Sequence, residues 1–175
     1  MTAVAPAPTL ESMGTRCAPL TAAQIHEQPY VYQYKKDLPC TPAQLFEVFD
    51  DPKSWPKWAP GIGKVIWTSP QPYEAGTTRT VVFWGGVEVY EEFSVFDAPR
   101  EMSFFFLGTS EEIWESFGEH YEVVETPDGC RLTWTVGYTP TGGFGKAHPF
   151  IKPIMRMNLR LYMVLLRRYV KKHVR

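Results

Sequence analysis

Residues 148–175 read HPFIKPIMRMNLRLYMVLLRRYVKKHVR. The stretch predicts one long helix. Pro149 and Pro153 stand at its start, where a missing N–H costs least, and no Gly or Pro follows them. At about 100° per residue, Ile151, Ile154, Met155, Asn158, Tyr162, Leu165, Leu166 and Tyr169 share one broad face. Arg156, Arg160, Arg167 and Lys171 fall on the opposite face. A helix of this kind buries one side against something large and apolar. Asn158 and Tyr162 put polar groups on that apolar side. Either both are satisfied within a core, or the first half of the helix roofs a cavity and they touch what it holds.

The partner lies upstream. Tyr30 to Asp37 alternates weakly and reads as a strand. Thr41, Pro42 and Gln44 then form a helix start with a capping box, and Leu45, Phe46 and Phe49 supply the buried stripe. Asp51-Pro52 ends that helix and opens a short turn of helix through Trp55. The segment from Trp55 to Gly61, with Pro56 and Pro60, reads as irregular. Six strands follow at short spacing: Gly63 to Ser69, Thr77 to Trp84, Val87 to Phe96, Glu101 to Leu107, Glu112 to Glu125 and Cys130 to Tyr138. Gly85-Gly86 makes a hairpin turn, and Gly118 marks a bend. Six consecutive strands with short turns form an antiparallel meander. The fold class is therefore α+β: seven strands, two short helices near the front and a long helix at the back. Leu132, Trp134, Val136 and Tyr138 point to one side of the last strand, which marks the face that meets the helix.

Residues 1–23 are rich in Ala, Pro and Thr without an apolar period and read as a disordered or loosely attached arm. A single domain over 24–175 is expected. Aromatic residues make up 15% of the chain, more than one core of this size requires. The net charge is −1, so nucleic acid is not an expected partner. The charge is uneven, however: eight Lys and Arg and no acid occur from His148 onward. A basic helix face of that sort is either a solvated surface or a contact for an acidic partner or a membrane. Three cysteines without metal-ligand spacing fit a reducing compartment. No stretch approaches the roughly 20 apolar residues of a membrane span, so stable membrane insertion is not expected, and a cytoplasmic location is the default.

Several landmarks occur in a telling order. They are Leu38-Pro39-Cys40-Thr41-Pro42-Ala43-Gln44-Leu45-Phe46, then Asp51-Pro52-Lys53-Ser54-Trp55-Pro56-Lys57-Trp58, Tyr73-Glu74-Ala75-Gly76-Thr77, Asp97-Ala98-Pro99-Arg100 and Asp128-Gly129-Cys130-Arg131-Leu132-Thr133-Trp134. Together they resemble the START-like, or SRPBCC, superfamily, in its polyketide cyclase/dehydrase-like branch, over roughly Tyr30 to His173. The resemblance implies a helix-grip (Bet v 1-like) fold, with a seven-stranded antiparallel sheet curled around a long C-terminal helix and a deep cavity between them. Members bind sterols, lipids, polyketides or plant hormones, and some cyclise or dehydrate. The cyclising branch uses a Tyr shortly after the Trp-Pro motif and an Arg on a central strand. Ile62 stands where that Tyr would be, and Arg79 is the strand Arg available.

The expected ligand is a hydrophobic small molecule, lipid- or polyketide-like, held by Trp58, Arg79, Phe104, Phe106, Tyr121, Trp134, Tyr138, Met155, Asn158 and Tyr162. Glu91 and Glu119 share strand faces with Val, Phe and Tyr. An inward carboxyl there would have a raised pKa and suit general acid/base work. The alternative is that a bulge turns it outward or that Arg79 pairs with it. Three readings stay open: a binding protein, a cyclase or dehydratase using Glu91 or Glu119, and an interaction module using the basic helix face. His26, His120, His148 and His173 have no partners at ligand spacing, so neither metal nor other cofactor is expected. Gly142-Gly143-Phe144-Gly145 lacks the features of a phosphate loop and reads as a flexible entrance loop.

Overall fold

The computed structural model describes residues 13–174. The elements, in chain order, are β1 (Thr15–Arg16), α1 (Ala22–His26), β2 (Tyr30–Leu38), α2 (Pro42–Asp50), α3 (Trp55–Trp58) and β3 (Ile62–Trp67). They continue with β4 (Thr78–Phe83), β5 (Glu88–Asp97), β6 (Glu101–Thr109), β7 (Trp114–Thr126), β8 (Gly129–Pro140) and α4 (Gly142–His173). The sheet order is β2-β8-β7-β6-β5-β4-β3, all antiparallel, with β1 added to the end of β6. Strands β3 to β8 are the expected meander, and β2 closes the far edge against β8. The sheet curls round α4 in a helix-grip arrangement. One apolar core fills the space between them, built from β-strand residues such as Phe93, Phe104, Tyr121 and Leu132 and from Leu159, Met163, Leu166 and Val170 of the helix.

The front helix forms for local reasons. Thr41 accepts a hydrogen bond from the Gln44 backbone N–H, the Gln44 side chain accepts one from the Thr41 N–H, and Pro42 opens the helix. Leu45, Phe46 and Phe49 are buried. Replacing Thr41 with Ala should cost about 1 kcal/mol in a denaturant titration, and a change too small to resolve would remove the cap from the account.

Four expectations are corrected. The first is the loose arm. Residues 1–12 lie outside the described residues, but 13–23 pack: Met13, Cys17 and Leu20 are buried, and Thr21 caps α1. Ile25 is fully buried on the outer side of the sheet, beside Leu20 and Phe105. Its slot is opened by two glycines that face each other on β7 and β8, Gly118 and Gly137. A Cβ on Gly118 would lie 2.7 Å from Ile25 Cγ1, and one on Gly137 only 1.9 Å from the Ile25 carbonyl oxygen. A composition argument cannot register one anchoring isoleucine.

Second, residues 142–145 are the first turn of α4, not a loop, and Pro149 and Pro153 lie inside the helix. Tertiary contacts outweigh propensity here. Phe144 packs edge-on against Trp114, and the buried His148 meets the Tyr138 hydroxyl at 2.8 Å. Third, the segment after Trp55 holds a turn of helix, α3, in which Trp55 and Trp58 are buried. His26 Nε2 is 2.9 Å from His120 Nδ1, and His120 Nε2 is 2.9 Å from Glu101 Oε1.

Fourth, helix α4 sits turned from its expected orientation. Its buried stripe is Leu159, Met163, Leu166 and Val170, roughly 90° round from the centre of the apolar face expected from the sequence. Ile154 is exposed, and Met155, Tyr162, Leu165 and Tyr169 are half-buried on the flank.

Candidate functional site

Between the sheet and α4 lies a cavity of about 340 Å³. Side chains at alternate positions of β6, β7 and β8 face it: Phe104 and Phe106, then Phe117, Glu119 and Tyr121, then Leu132 and Trp134. Strands β4 and β5 add Arg79, Val81, Val89 and Glu91. Trp55, Trp58 and Ile62 close one end, and Met155, Asn158, Leu159 and Tyr162 form the roof. Nine of the ten expected ligand-binding residues therefore line one space. Tyr138 does not. It is fully buried further along β8, where its hydroxyl meets His148. The inward alternation of β8 was right, but α4 begins early enough to cover that end.

Arg79 and Glu91 are directly opposite each other on β4 and β5. Both are buried, and Arg79 Nε donates to Glu91 Oε2. The guanidinium lies between aromatic faces, with its carbon 4.5 Å from the ring centres of both Trp55 and Phe104 and 5.0 Å from that of Phe93. Such stacking offsets part of the desolvation of the cation. Burial pushes the Glu91 carboxyl up, against the pull of Arg79 beside it. Of the readings open for Glu91, the ion pair is the one seen.

Glu119 is placed differently. It stands on β7 opposite Phe104 of β6, on the same cavity wall. Its Oε2 accepts hydrogen bonds from the Tyr121 hydroxyl and from Trp134 Nε1, the latter at 2.8 Å. Oε1 has no partner among the described residues. Burial pushes this carboxyl up to about 7; the two donors and Arg79 pull the other way, and Glu91 adds to the rise. A carboxyl in that state gains or loses a proton near neutral pH, as a general acid or base requires. The same environment pushes the Tyr121 hydroxyl well up, so it stays protonated and donates.

Asn158 and Tyr162 line the cavity, but not as a pair of free polar groups. The Tyr162 hydroxyl donates to the Pro60 carbonyl and ties α4 to the turn after α3, while its ring lies parallel to Trp134 at 6.3 Å. Asn158 lines the cavity and is exposed, so the cavity reaches the surface beside α4. Two donors on the wall are buried without a partner among the described residues, Trp58 Nε1 and Arg79 Nη1. Sequence reasoning missed Phe117, Met163 and Trp114 as lining residues. The register shift between Trp114 and Ser116 hides Trp114 from an alternation count, and the turned helix hides Met163. No group of three or more His, Cys, Asp and Glu among the described residues is arranged to hold a metal.

The family model described as polyketide cyclase / dehydrase and lipid transport matches residues 31–170. Uncharacterized proteins of Mycobacterium bovis and of Mycobacterium tuberculosis are each 43% identical over 141 residues, 81% of this chain and 84% of theirs. Among solved structures, TTHA0849 from Thermus thermophilus aligns over 83% of this chain and 100% of its own, with a TM-score of 0.68 at 16% identity. The di-domain ARO/CYC StfQ from the steffimycin biosynthetic pathway aligns over 86% of this chain and 54% of its own, with a TM-score of 0.64 at 9% identity. Ara h 8.0201 aligns over 78% and 97%, with a TM-score of 0.57 at 18% identity. At these identities the structural likeness concerns the fold alone.

Proposed function

The chain belongs to the polyketide cyclase / dehydrase and lipid transport family, and from that premise we propose that it binds a mainly apolar small molecule carrying at least one oxygen acceptor. The observation that carries this reading is the cavity of about 340 Å³, walled by aromatic and aliphatic side chains with few polar groups. The two unpartnered buried donors, Trp58 Nε1 and Arg79 Nη1, supply the acceptor requirement. A buried donor left unpaired costs about 1–3 kcal/mol, which a carbonyl, carboxylate or hydroxyl oxygen of a ligand recovers.

Native mass spectrometry of the purified protein, followed by solvent extraction, tests the proposal. The expected result is a bound apolar compound bearing oxygen. Trp58→Phe keeps the ring and removes the donor, and should weaken binding of that compound about three- to tenfold. A protein that carries nothing and takes up no fatty acid or polyketide-like probe contradicts the proposal.

A second reading rests on Glu119. A cavity carboxyl with its pKa at about 7 is suited to moving a proton on a bound carbonyl compound, in an enolisation or a dehydration. On this reading Glu119 Oε1 exchanges the proton, Tyr121 and Trp134 hold Oε2, and Glu91 is engaged by Arg79. It shares the cavity with the first reading and differs only in whether the ligand leaves changed.

A further inference from the structure

Helix α4 has a second apolar stripe that no element among the described residues covers. Phe150, Ile154, Met157, Leu161 and Val164 are all exposed, Phe150 at 80% and Met157 at 62%. At 100° per residue they fall within an arc of roughly 80°, directly opposite the buried stripe. One edge of the arc is cationic, with Arg156, Arg160, Arg167 and Lys171, and no acid lies on the helix. The other edge is the flank where Asn158 and Tyr162 line the cavity. Trp84, 69% exposed on the β4–β5 hairpin, has its backbone beside that flank: its backbone N–H donates to the Gly61 carbonyl, next to the Pro60 that Tyr162 holds.

We propose that this face docks on the surface of an anionic phospholipid bilayer. The apolar stripe and Trp84 enter the headgroup boundary, Arg156 and Arg160 meet lipid phosphates, and the cavity opening beside Asn158 faces the acyl region. A helix with a narrow apolar stripe and a basic border lies in the interfacial plane and does not cross it. No helix among the described residues is long and apolar enough to span. Each cation near such a surface adds to the attraction, which decays within a Debye length. A second copy is the competing occupant, and charge opposes it. Antiparallel two-fold pairing of the stripes sets basic edge against basic edge, and parallel pairing sets Arg168 against its own copy. Docking here does not depend on what the cavity holds.

Vesicle co-sedimentation of the full chain tests the proposal. The expected result is binding to phosphatidylcholine vesicles containing phosphatidylserine at low salt and little binding to phosphatidylcholine alone. Arg156→Glu with Arg160→Glu should weaken it at least about thirtyfold. Met157→Glu with Leu161→Glu should abolish it. Neither pair lines the cavity, so both variants should take up the cavity ligand as the parent does; Arg160 also reaches the Tyr34 hydroxyl, so the charge-reversed pair should melt slightly below the parent while still folded at the assay temperature. Absence of binding by the parent overturns the proposal. So does a parent that sediments as a dimer and becomes a monomer on Met157→Glu with Leu161→Glu, which would assign the stripe to a second copy.

Discussion

Arg79→Met should lower the unfolding free energy at pH 7 by about 3–5 kcal/mol, the loss typical of a buried ion pair deprived of one partner. Methionine suits the gap between Trp55 and Phe104, so packing is largely kept and the cost falls on Glu91. That carboxyl is 4% exposed and already pushed up by burial. Without the guanidinium its folded pKa rises further. A carboxyl whose folded pKa lies above its unfolded value, about 4.3, binds more protons in the native state as pH rises past that value, so stability falls there. The deficit of the variant should therefore be small near pH 4 and full at neutral pH. Arg79→Met with Glu91→Leu removes both charges and should recover most of the loss, because an apolar replacement for a buried pair is often neutral or better. Urea unfolding midpoints at the two pH values decide it. A single variant within about 1 kcal/mol of the parent, or a double variant as unstable as the single, would mean that the pair does not organise this wall.

Glu119→Gln should lower turnover of an enolisable polyketide-like substrate about a hundredfold or more with ligand affinity retained, if Glu119 moves the proton. Glutamine keeps the shape and can still accept from Tyr121 and Trp134, while the titrating group is gone. The parent should show a limb in its pH–rate profile near pH 7, where burial has set this carboxyl. A rate rising through that pH assigns Glu119 as base, and a falling rate assigns it as acid; the variant should lose the limb in either case. Stability supplies an independent check. The folded pKa is above the unfolded one, so Glu119 makes the parent lose stability as pH rises from about 4.5 to about 7, and the variant, which keeps only the loss due to other raised carboxyls such as Glu91, should lose less. Equal turnover in parent and variant would exclude the carboxyl from any mechanism, and a parent that turns over no candidate substrate leaves ligand binding as the function.

The elements themselves were legible because their causes are local. Thr41, Pro42 and Gln44 specify a helix start within four residues, Gly85-Gly86 a hairpin, and Leu132, Trp134 and Val136 an inward face, each by contacts or periodicities confined to one short segment. The cavity followed, since strands of alternating aromatics around one helix leave space that the helix cannot fill. Alternation and the family resemblance together point to ten residues, Arg79 and Trp58 through the resemblance, and nine of the ten line it. What stayed hidden depends on how separate segments meet. The register of β4 on β5 sets Arg79 across from Glu91, and with it decides that Glu91 is paired while Glu119 is left to titrate. Shifts between Tyr90 and Glu91 and between Phe93 and Val95 move the register of β5 on β6 without changing the composition of either strand. Helix α4 is the clearest case. Its sequence has apolar residues on two opposite arcs, Leu159, Met163, Leu166 and Val170 on one and Ile154, Met157, Leu161 and Val164 on the other. Periodicity alone averages them into a broad face lying between. Only docking on the sheet, with Tyr162 held at Pro60 and His148 at Tyr138, selects which arc is buried and leaves the other outside.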